Sequence, residues 1–353
     1  MVTTNPNPNV GPVRPGAHFD EGSLTDYLER RLTPWKGPLH IEQFLSGQSN
    51  PTYLLDLGNE RVVLRKRPVG AVAPSAHRVD REYRVLRALH NSPIPVPRTY
   101  FLCEDDSVVG SPFFLMEYIE GRTFADRTLP GLTVAERTQV FAQANGILAA
   151  LHTLDYKALG LQGFGNPQFF LARQVDRWSE QYRASATEPI PAMDHLMERL
   201  PEHLPPEQPG APLHGDFHLS NVILHPTEAR IIALLDWELS TIGDPLSDLA
   251  YHLAYWRLPQ ALRGIAGADL PALGIPSEAD YLASYCAATK RTPPPEWDWY
   301  IAFNLFRIAA IRQGILARSR QGNATSANAE QVGAQARQVA DLAWETLQAY
   351  LKR

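Results

Sequence analysis

The chain has 353 residues, of which 44% are hydrophobic and 20% are charged, which is an ordinary globular composition with enough length for two domains. The formal net charge of −5 and the lack of a basic arm argue against a nucleic-acid partner. No apolar run of about 18 residues is present to span a membrane. We expect a cytoplasmic protein whose two cysteines, Cys103 and Cys286, are reduced thiols, with a single disulfide between them left open.

The first third of the chain predicts a small sheet and one helix. Residues 1–18 open with a polar stretch rich in Pro and Asn that lacks the apolar core of a signal peptide, and we expect this segment to be disordered. Strands are predicted at residues 41–45, 52–57, 61–66 and 112–118. Apolar residues at helical spacing predict a helix over residues 76–90. We therefore assign residues 19–117 to a β-rich N-terminal lobe.

The remainder of the chain predicts mainly helices. Thr133 has the side chain and position of an N-cap for the first of them. Further helices are predicted at residues 171–182, 247–256, 299–318 and 330–351. A polar segment with brief strands lies between the second and third of these helices. Residues 118–353 are therefore assigned to an α-rich C-terminal lobe, and the fold class is α+β with two lobes.

The main chemical signal is the sequence HGDFHLSN at residues 214–221, followed by LLDWE at residues 234–238. Asp216 and Asn221 have the spacing of a kinase catalytic loop, in which the aspartate takes the proton of the acceptor hydroxyl and the asparagine binds metal. Asp236 follows an apolar run, where kinases place a second metal ligand. Magnesium keeps several waters, so one carboxylate and one amide oxygen are enough from the protein. The pattern predicts Asp216 as catalytic base and Asn221 and Asp236 as Mg²⁺ ligands.

These motifs resemble those of the aminoglycoside phosphotransferase family, which is similar to choline and fructosamine kinases. HGDFHLSN matches the catalytic motif, LLDWE the metal aspartate, and GDPLSDLA the helix that follows. The chain resembles still more closely the kinase-like domain at the front of certain acyl-CoA dehydrogenases and its free-standing bacterial relatives. The segments that carry this are LSGQSNPTYLL, VVLRKRPVG, SAHRVDREYRVLRAL, PFFLMEYIEGR and FRIAAIRQGILARSRQGNATSANA, and the resemblance covers about residues 40–335. It implies a protein-kinase-like fold that uses ATP and Mg²⁺.

The resemblance also implies a nucleotide-binding loop at residues 46–50. Its candidate residues are Ser46, Gly47, Ser49 and Asn50. Gly47 permits close approach of the backbone to a phosphate, and the polar side chains can donate to its oxygens. The alternative is an ordinary hairpin turn.

The strand predicted at residues 61–66 should supply a cation for the nucleotide phosphates, paired with Glu82 on the next helix. Arg65 and Lys66 are both candidates. Neighbouring strand residues point to opposite faces of the sheet, so only one of the two can face the nucleotide. The family pattern places Arg65 inward, and its planar guanidinium grips phosphate well, so we favour Arg65.

The remaining candidate residues follow from the resemblance alone. The predicted hinge that reads adenine consists of Glu117, Tyr118 and Ile119. The residues predicted to support the catalytic loop are His214, Asp244 and Asp248.

The partner is expected to be a small-molecule acceptor, and the oligomeric state stays open. A protein kinase is disfavoured because Asp244 follows Asp236 too closely for an activation loop. A nucleotide-binding pseudokinase that regulates a partner is the alternative from another class; it should lack the base or a metal ligand, whereas Asp216, Asn221 and Asp236 are all present. Nothing in the sequence resembles the flavin domain of a dehydrogenase. The related branch phosphorylates hydroxyacyl-CoA thioesters, so a hydroxyacyl-CoA or hydroxy acid is the first choice. Arginines at helical spacing from Arg307 to Arg318 suit such an anionic acceptor. An aminoglycoside or choline remains the alternative.

Overall fold

The computed structural model describes residues 10–45, 50–68, 78–321 and 329–353. The chain forms two compact units, Met1–Gly121 with Ala233–Glu238, and Arg122–Ile232 with Leu239–Arg353. The first unit extends slightly beyond residue 117, where the sequence placed the lobe boundary. It also takes in the segment that carries Asp236, which the sequence assigned to the larger lobe.

An antiparallel sheet of six strands forms the centre of the first unit. Its elements in chain order are β1 Val10–Gly11, α1 Glu21–Arg31, β2 His40–Phe44, β3 Thr52–Asp56, β4 Arg61–Lys66, α2 Val79–Leu89, β5 Thr99–Cys103, α3 Asp106–Val109 and β6 Phe113–Glu117. The strands are ordered β1-β2-β3-β4-β6-β5. Val10 pairs with Phe44 and Gly11 with Gln43, so the disorder expected over residues 1–18 does not hold at residues 10 and 11.

The two faces of this sheet pack against different helices because side chains alternate along each strand. Val62 and Leu64 of β4 point to one face, where they join a buried cluster with Leu24 and Leu28 of α1. Helix α1 was not predicted, and it begins at Asp20, whose carboxylate accepts a hydrogen bond from the Ser23 amide. Helix α2 contacts β5 and β6. The alternation of β4 therefore sends Arg65 and Lys66 to opposite faces.

The second unit is mainly helical, as the sequence predicts. Its elements are α4 Val134–Thr153, α5 Phe170–Ser185, α6 Pro191–Arg199, β7 Ala211–Leu213, β8 Val222–Leu224, β9 Ile231–Leu234, β10 Thr241–Gly243, α7 Pro245–Arg257, α8 Leu270–Leu273, α9 Glu278–Thr289, α10 Trp297–Arg320, α11 Ala329–Ala334 and α12 Ala336–Leu351; β9 runs on into the segment that belongs to the first unit. Thr133 forms a full capping box with Glu136 at the start of α4, which confirms the predicted N-cap. The single helix predicted over residues 330–351 is wrong, because α11 ends before α12 begins.

Helix α10 forms the core of the second unit. It packs against α5, α7, α11 and α12, and most of its residues are buried. Its neighbour α7 is buried from Pro245 to Trp256. A helix buried on all sides keeps its polar residues only where they find partners. The polar residues on these two helices are therefore informative about the site.

Within the described ranges, no helix has both the length and the apolar character needed to cross a membrane. Cys103 and Cys286 are both free and buried.

Candidate active site

Arg65 is the centre of a charged cluster in the first unit. Its Nε lies 2.8 Å from a Glu82 oxygen, and its Nη2 lies 2.7 Å from Asp236 Oδ1 and 3.5 Å from Glu238 Oε2. Asn50 donates to the same Glu238 oxygen at 3.2 Å. The contact between Arg65 Nε and Glu82 Oε2 is an ion pair that lacks the alignment of a hydrogen bond. One guanidinium thus faces three carboxylates.

The charged groups of this cluster shift one another's pKa values. Burial lowers the pKa of Arg65, but Glu82, Asp236 and Glu238 outweigh it and raise that pKa above its ordinary value. Burial raises the pKa of Glu82, Arg65 lowers it, Asp236 and Glu238 raise it, and together these effects bring it to about 7. Asp236 and Glu238 therefore share one guanidinium with Glu82. Their carboxylate oxygens are ligands of the kind that a divalent cation prefers.

The geometry separates the two cations that the sequence left as alternatives. The Lys66 ammonium donates to the Val109 carbonyl at 2.6 Å and lies 5.1 Å from the centre of the Phe19 ring. Lys66 is buried on the opposite face of β4 from Arg65. Of these two residues, only Arg65 points toward Glu82 and Asp236. Arg65 is therefore the candidate for contacting the nucleotide phosphates, and Lys66 is not.

The other residues predicted for the nucleotide divide into described and undescribed ones. Ser46, Gly47 and Ser49 lie outside the described residues. Asn50 is buried against Glu238. Glu117 ends β6, and its carboxylate accepts from the Arg98 amide at 3.1 Å.

The rest of the predicted hinge continues from β6. The ring of Tyr118 lies under the Arg61 guanidinium, 4.5 Å from its centre, and Ile119 is half-buried. The role of Glu117, Tyr118 and Ile119 as a hinge stays a prediction.

Asp236 has an unusual backbone conformation. Its φ is +66°, in the left-handed region where non-glycine residues are uncommon. Aspartate tolerates this region better than most residues, and such conformations cluster at functional sites. Among the described residues no group of three or more His, Cys, Asp or Glu could hold a metal by itself. That is compatible with Mg²⁺, which takes few protein ligands.

We expect Glu82 to make folding stability depend on pH. Its folded pKa of about 7 lies above its ordinary value of 4.5, so the folded state holds the proton more tightly. This contribution is fully present below pH 4.5 and is lost as the pH rises through about 7. Glu82→Gln removes the titration. The stability of wild type relative to this variant should fall by up to about 1.4 kcal/mol per pH unit across that interval. Urea unfolding at several pH values measures the difference, and parallel stability curves would contradict the expectation.

The predicted catalytic loop, residues 214–221, belongs to the second unit and is held by Asp248 of α7. Asp248 accepts from the main-chain amides of His214 at 2.8 Å and Gly215 at 2.9 Å. His152 of α4 lies 3.2 Å from the same carboxylate, and Tyr285 is 2.7 Å from its other ring nitrogen. Burial opposes the charge of Asp248, but the hydrogen bond with His152 keeps its pKa below the ordinary value.

Gly215 is required by the turn that follows. Its φ is +84°, and a Cβ here would lie 2.4 Å from the Leu239 carbonyl oxygen. The His214 ring accepts from the Asp216 amide at 3.2 Å. These contacts place the Asp216 side chain at the end of a turn with little freedom.

Asp216 is held as a carboxylate. Burial raises its pKa, but hydrogen bonds from His218 and Tyr251 and the charge of His214 bring that pKa well below the ordinary value. His218 Nε2 lies 3.5 Å from Asp216 Oδ2. A carboxylate with a lowered pKa can orient an acceptor hydroxyl by accepting its hydrogen bond. It takes the proton of that hydroxyl only late in a reaction.

Asn221 folds back onto Asp216. Its Nδ2 donates to the main-chain oxygen of Asp216 at 3.0 Å and to its carboxylate at 3.3 Å. No hydrogen bond to the Asn221 amide oxygen is found among the described residues. That oxygen is the group that a magnesium ion would use.

Asp244 supports the helix that carries these contacts. It caps α7 by accepting from the Leu246 and Ser247 amides, and Tyr300 donates to it at 2.9 Å. Burial raises the pKa of Asp244 to about 6, against the effect of these hydrogen bonds. Asp244 therefore fixes the start of the helix that presents Asp248.

Three residues of the site make contacts that the sequence analysis did not foresee. Glu238 lies in the quoted LLDWE motif, yet its contact with Arg65 was not foreseen. Tyr251 follows Asp248 by three residues, which places both on one face of α7. Arg307 of α10 donates to the Gly215 carbonyl and lies 4.3 Å from the centre of the Tyr251 ring. Arg307 thus touches the catalytic loop, a contact that spacing on its own helix does not reveal.

Comparison with known proteins finds a matching family and similar sequences. The model of the phosphotransferase enzyme family, APH, matches residues 40–297. Acyl-CoA dehydrogenase family member 10 of Mus musculus is 44% identical over 342 residues, which cover 96% of this chain and 32% of that protein. The chain therefore spans about a third of that relative's length.

Solved structures resemble the chain over nearly its whole length. A Ralstonia eutropha protein, named as a candidate aminoglycoside phosphotransferase, is 44% identical with a TM-score of 0.85, covering 94% of this chain and 99% of that one. A mutant of aminoglycoside phosphotransferase APH(4)-Ia, in ternary complex with AMP-PNP and hygromycin B, has a TM-score of 0.56 at 18% identity, covering 92% and 98%. The second likeness concerns the fold alone. Together they confirm the α+β, protein-kinase-like fold class.

Proposed function

Because the chain belongs to the phosphotransferase enzyme family, we propose that it is an ATP- and Mg²⁺-dependent kinase whose acceptor is a hydroxyacyl-CoA or a hydroxy acid. The chain is an enzyme that transfers phosphate to a hydroxyl group of a small molecule, and members of this family typically use ATP with Mg²⁺. The observation that carries the proposal is the loop at residues 214–221, which holds Asp216 as a carboxylate and leaves the amide oxygen of Asn221 available.

In the proposed reaction the acceptor hydroxyl donates a hydrogen bond to Asp216. Its oxygen attacks the γ-phosphorus of ATP, the bond from that phosphorus to the bridging oxygen breaks, and ADP leaves. The proton of the hydroxyl passes to Asp216. A late proton transfer suits the loose transition state of phosphoryl transfer, in which the attacking oxygen carries little new charge. The low proton affinity of Asp216 therefore fits a positioning role as well as a basic one.

Arg65 is proposed to contact the nucleotide phosphates, with Glu82 holding it in place as the kinase helix glutamate does. The carboxylate of Asp236 is proposed to bind a divalent cation, and Asn221 is proposed as the second ligand. Bound Mg²⁺ would neutralise phosphate charge. Asp236 and Asn221 supply the hard oxygen atoms that this ion prefers.

The charge near the catalytic loop favours an anionic acceptor. Arg307 lies over the Tyr251 ring, and the Arg127 guanidinium lies 3.6 Å from the centre of the Tyr255 ring. Among the described residues, no carboxylate lies within 4.0 Å of either arginine. Arg257, by contrast, forms ion pairs with Glu278 and Asp298. An aminoglycoside, which carries ammonium groups, would need carboxylates here. The name of the mouse relative, an acyl-CoA dehydrogenase family member, also favours acyl-CoA chemistry.

We expect magnesium-dependent ADP release with a hydroxylated acyl-CoA as acceptor. The assay would compare pentanoyl-CoA hydroxylated at the third, fourth or fifth carbon with the matching free hydroxy acids, kanamycin and choline. Formation of the phosphorylated acceptor, seen by mass spectrometry, identifies the substrate class. Turnover with kanamycin or choline alone would refute the proposed acceptor. Magnesium-dependent ATP binding without turnover on any acceptor would instead favour a pseudokinase that regulates a partner.

A further inference from the structure

Two arginines from different helices meet at one tryptophan in the second unit. The guanidinium carbon of Arg177 of α5 lies 5.8 Å from the centre of the Trp178 ring, and that of Arg307 of α10 lies 5.1 Å from it. Trp178 is buried, whereas Arg177 is exposed and Arg307 half-buried. Two positively charged side chains thus lie beside the same tryptophan ring.

The charge of this pair is uncompensated. Asp176 and Glu180 are neighbours of Arg177 on α5, yet neither forms an ion pair with it, and the described residues place no carboxylate within 4.0 Å of Arg177 or Arg307. Although Arg177 as a whole is exposed, desolvation of its guanidinium and the repulsion by Arg307 lower its pKa. By contrast, Arg257 contacts both Glu278 and Asp298. Two like charges without a counter-ion favour binding of an anion.

One member of the arginine pair, Arg307, contacts the catalytic loop directly. Arg307 donates to the carbonyl of Gly215, the residue before Asp216, and lies over Tyr251. Tyr251 in turn donates to Asp216. An anionic group held by the pair would belong to a molecule that can also reach the base.

We propose that Arg177 and Arg307, supported by the Trp178 ring, form a subsite that binds an anionic group of the acceptor, a phosphate or a carboxylate. The inference rests on the proposed function and deepens it, because it assigns acceptor recognition to named residues. Arg307 has two roles in this arrangement, since it also positions Gly215. Arg177 has no contact with the loop and therefore reports on the subsite alone.

The test compares Arg177→Gln with Arg183→Gln, a matched variant that removes the same charge from an exposed residue on the same helix. One probe is pentanoyl-CoA, which carries the CoA phosphates and has no hydroxyl on its acyl chain. The other is pentanoate, which carries only a carboxylate. Isothermal titration calorimetry should find that Arg177→Gln weakens binding of one probe by roughly ten- to a hundredfold, as expected for loss of a charged hydrogen bond. Arg183→Gln should bind both probes as wild type does.

The two probes distinguish the source of the anion. A loss with pentanoyl-CoA alone assigns the subsite to a CoA phosphate, and a loss with pentanoate alone assigns it to a carboxylate. Arg177→Lys keeps the charge and should bind the affected probe more tightly than Arg177→Gln. Equal affinity of wild type and Arg177→Gln for both probes, or no binding of either probe to wild type, would overturn the subsite. These measurements need no turnover, so they are independent of whether a hydroxyacyl-CoA is phosphorylated.

Discussion

Replacing Asp216 with asparagine is expected to lower the turnover number by roughly 10²–10⁴, the usual effect of removing a positioned acid–base group. ATP affinity should stay nearly unchanged, because Arg65 and Asp236 are proposed to hold the nucleotide and its metal. The loss should appear in kcat more than in KM, since the contact of Asp216 with the hydroxyl matters mainly in the transition state. ADP release with the best acceptor, together with calorimetric ATP binding, measures both quantities.

Asparagine keeps the size of the side chain and leaves the main-chain contacts of the loop in place. Asp341→Asn, an exposed aspartate in the same unit, is the matched control and should behave as wild type. A purely structural Asp216 would give a lower melting temperature and weaker ATP binding together. Acceptor phosphorylation that survives Asp216→Asn undiminished would remove Asp216 from the proposed mechanism.

Asp236→Asn is expected to abolish magnesium-dependent turnover while the protein stays folded. The substitution removes a carboxylate that contacts Arg65 at 2.7 Å and takes away the charge proposed to hold the ion. Arg65 keeps Glu82 and Glu238 as partners, so the first unit should not unfold. Activity as a function of Mg²⁺ concentration, and the thermal shift that MgATP produces, would both be measured.

Asp26→Asn is the matched control, since Asp26 is an exposed aspartate on α1 in the same unit. It should leave the magnesium dependence unchanged. An Asp236→Asn variant with wild-type activity at the same Mg²⁺ concentration would show that the metal site lies elsewhere.

The sequence by itself determined the features that depend on near neighbours in the chain. The catalytic loop at residues 214–221 could be found because Asp216 and Asn221 act within one turn, so their spacing is a property of the sequence. The capping box at Thr133 is equally local, since both of its partners lie within one turn of helix. Alternation along β4 indicated that only one of Arg65 and Lys66 could point toward a site, without deciding which.

The tertiary structure decided what depends on residues far apart in the chain. The contact of Arg65 with Asp236 joins positions 171 residues apart, and that of Arg307 with Gly215 joins positions 92 apart. Such contacts exist only after the sheet registers and helix packing are set, and no periodicity in either segment encodes them. The same packing brings Arg177 and Arg307 to one tryptophan. For this reason the motif indicated the chemistry, whereas the contacts of Arg65 with Asp236 and Glu238 and the contact of Arg307 with the catalytic loop came from the fold.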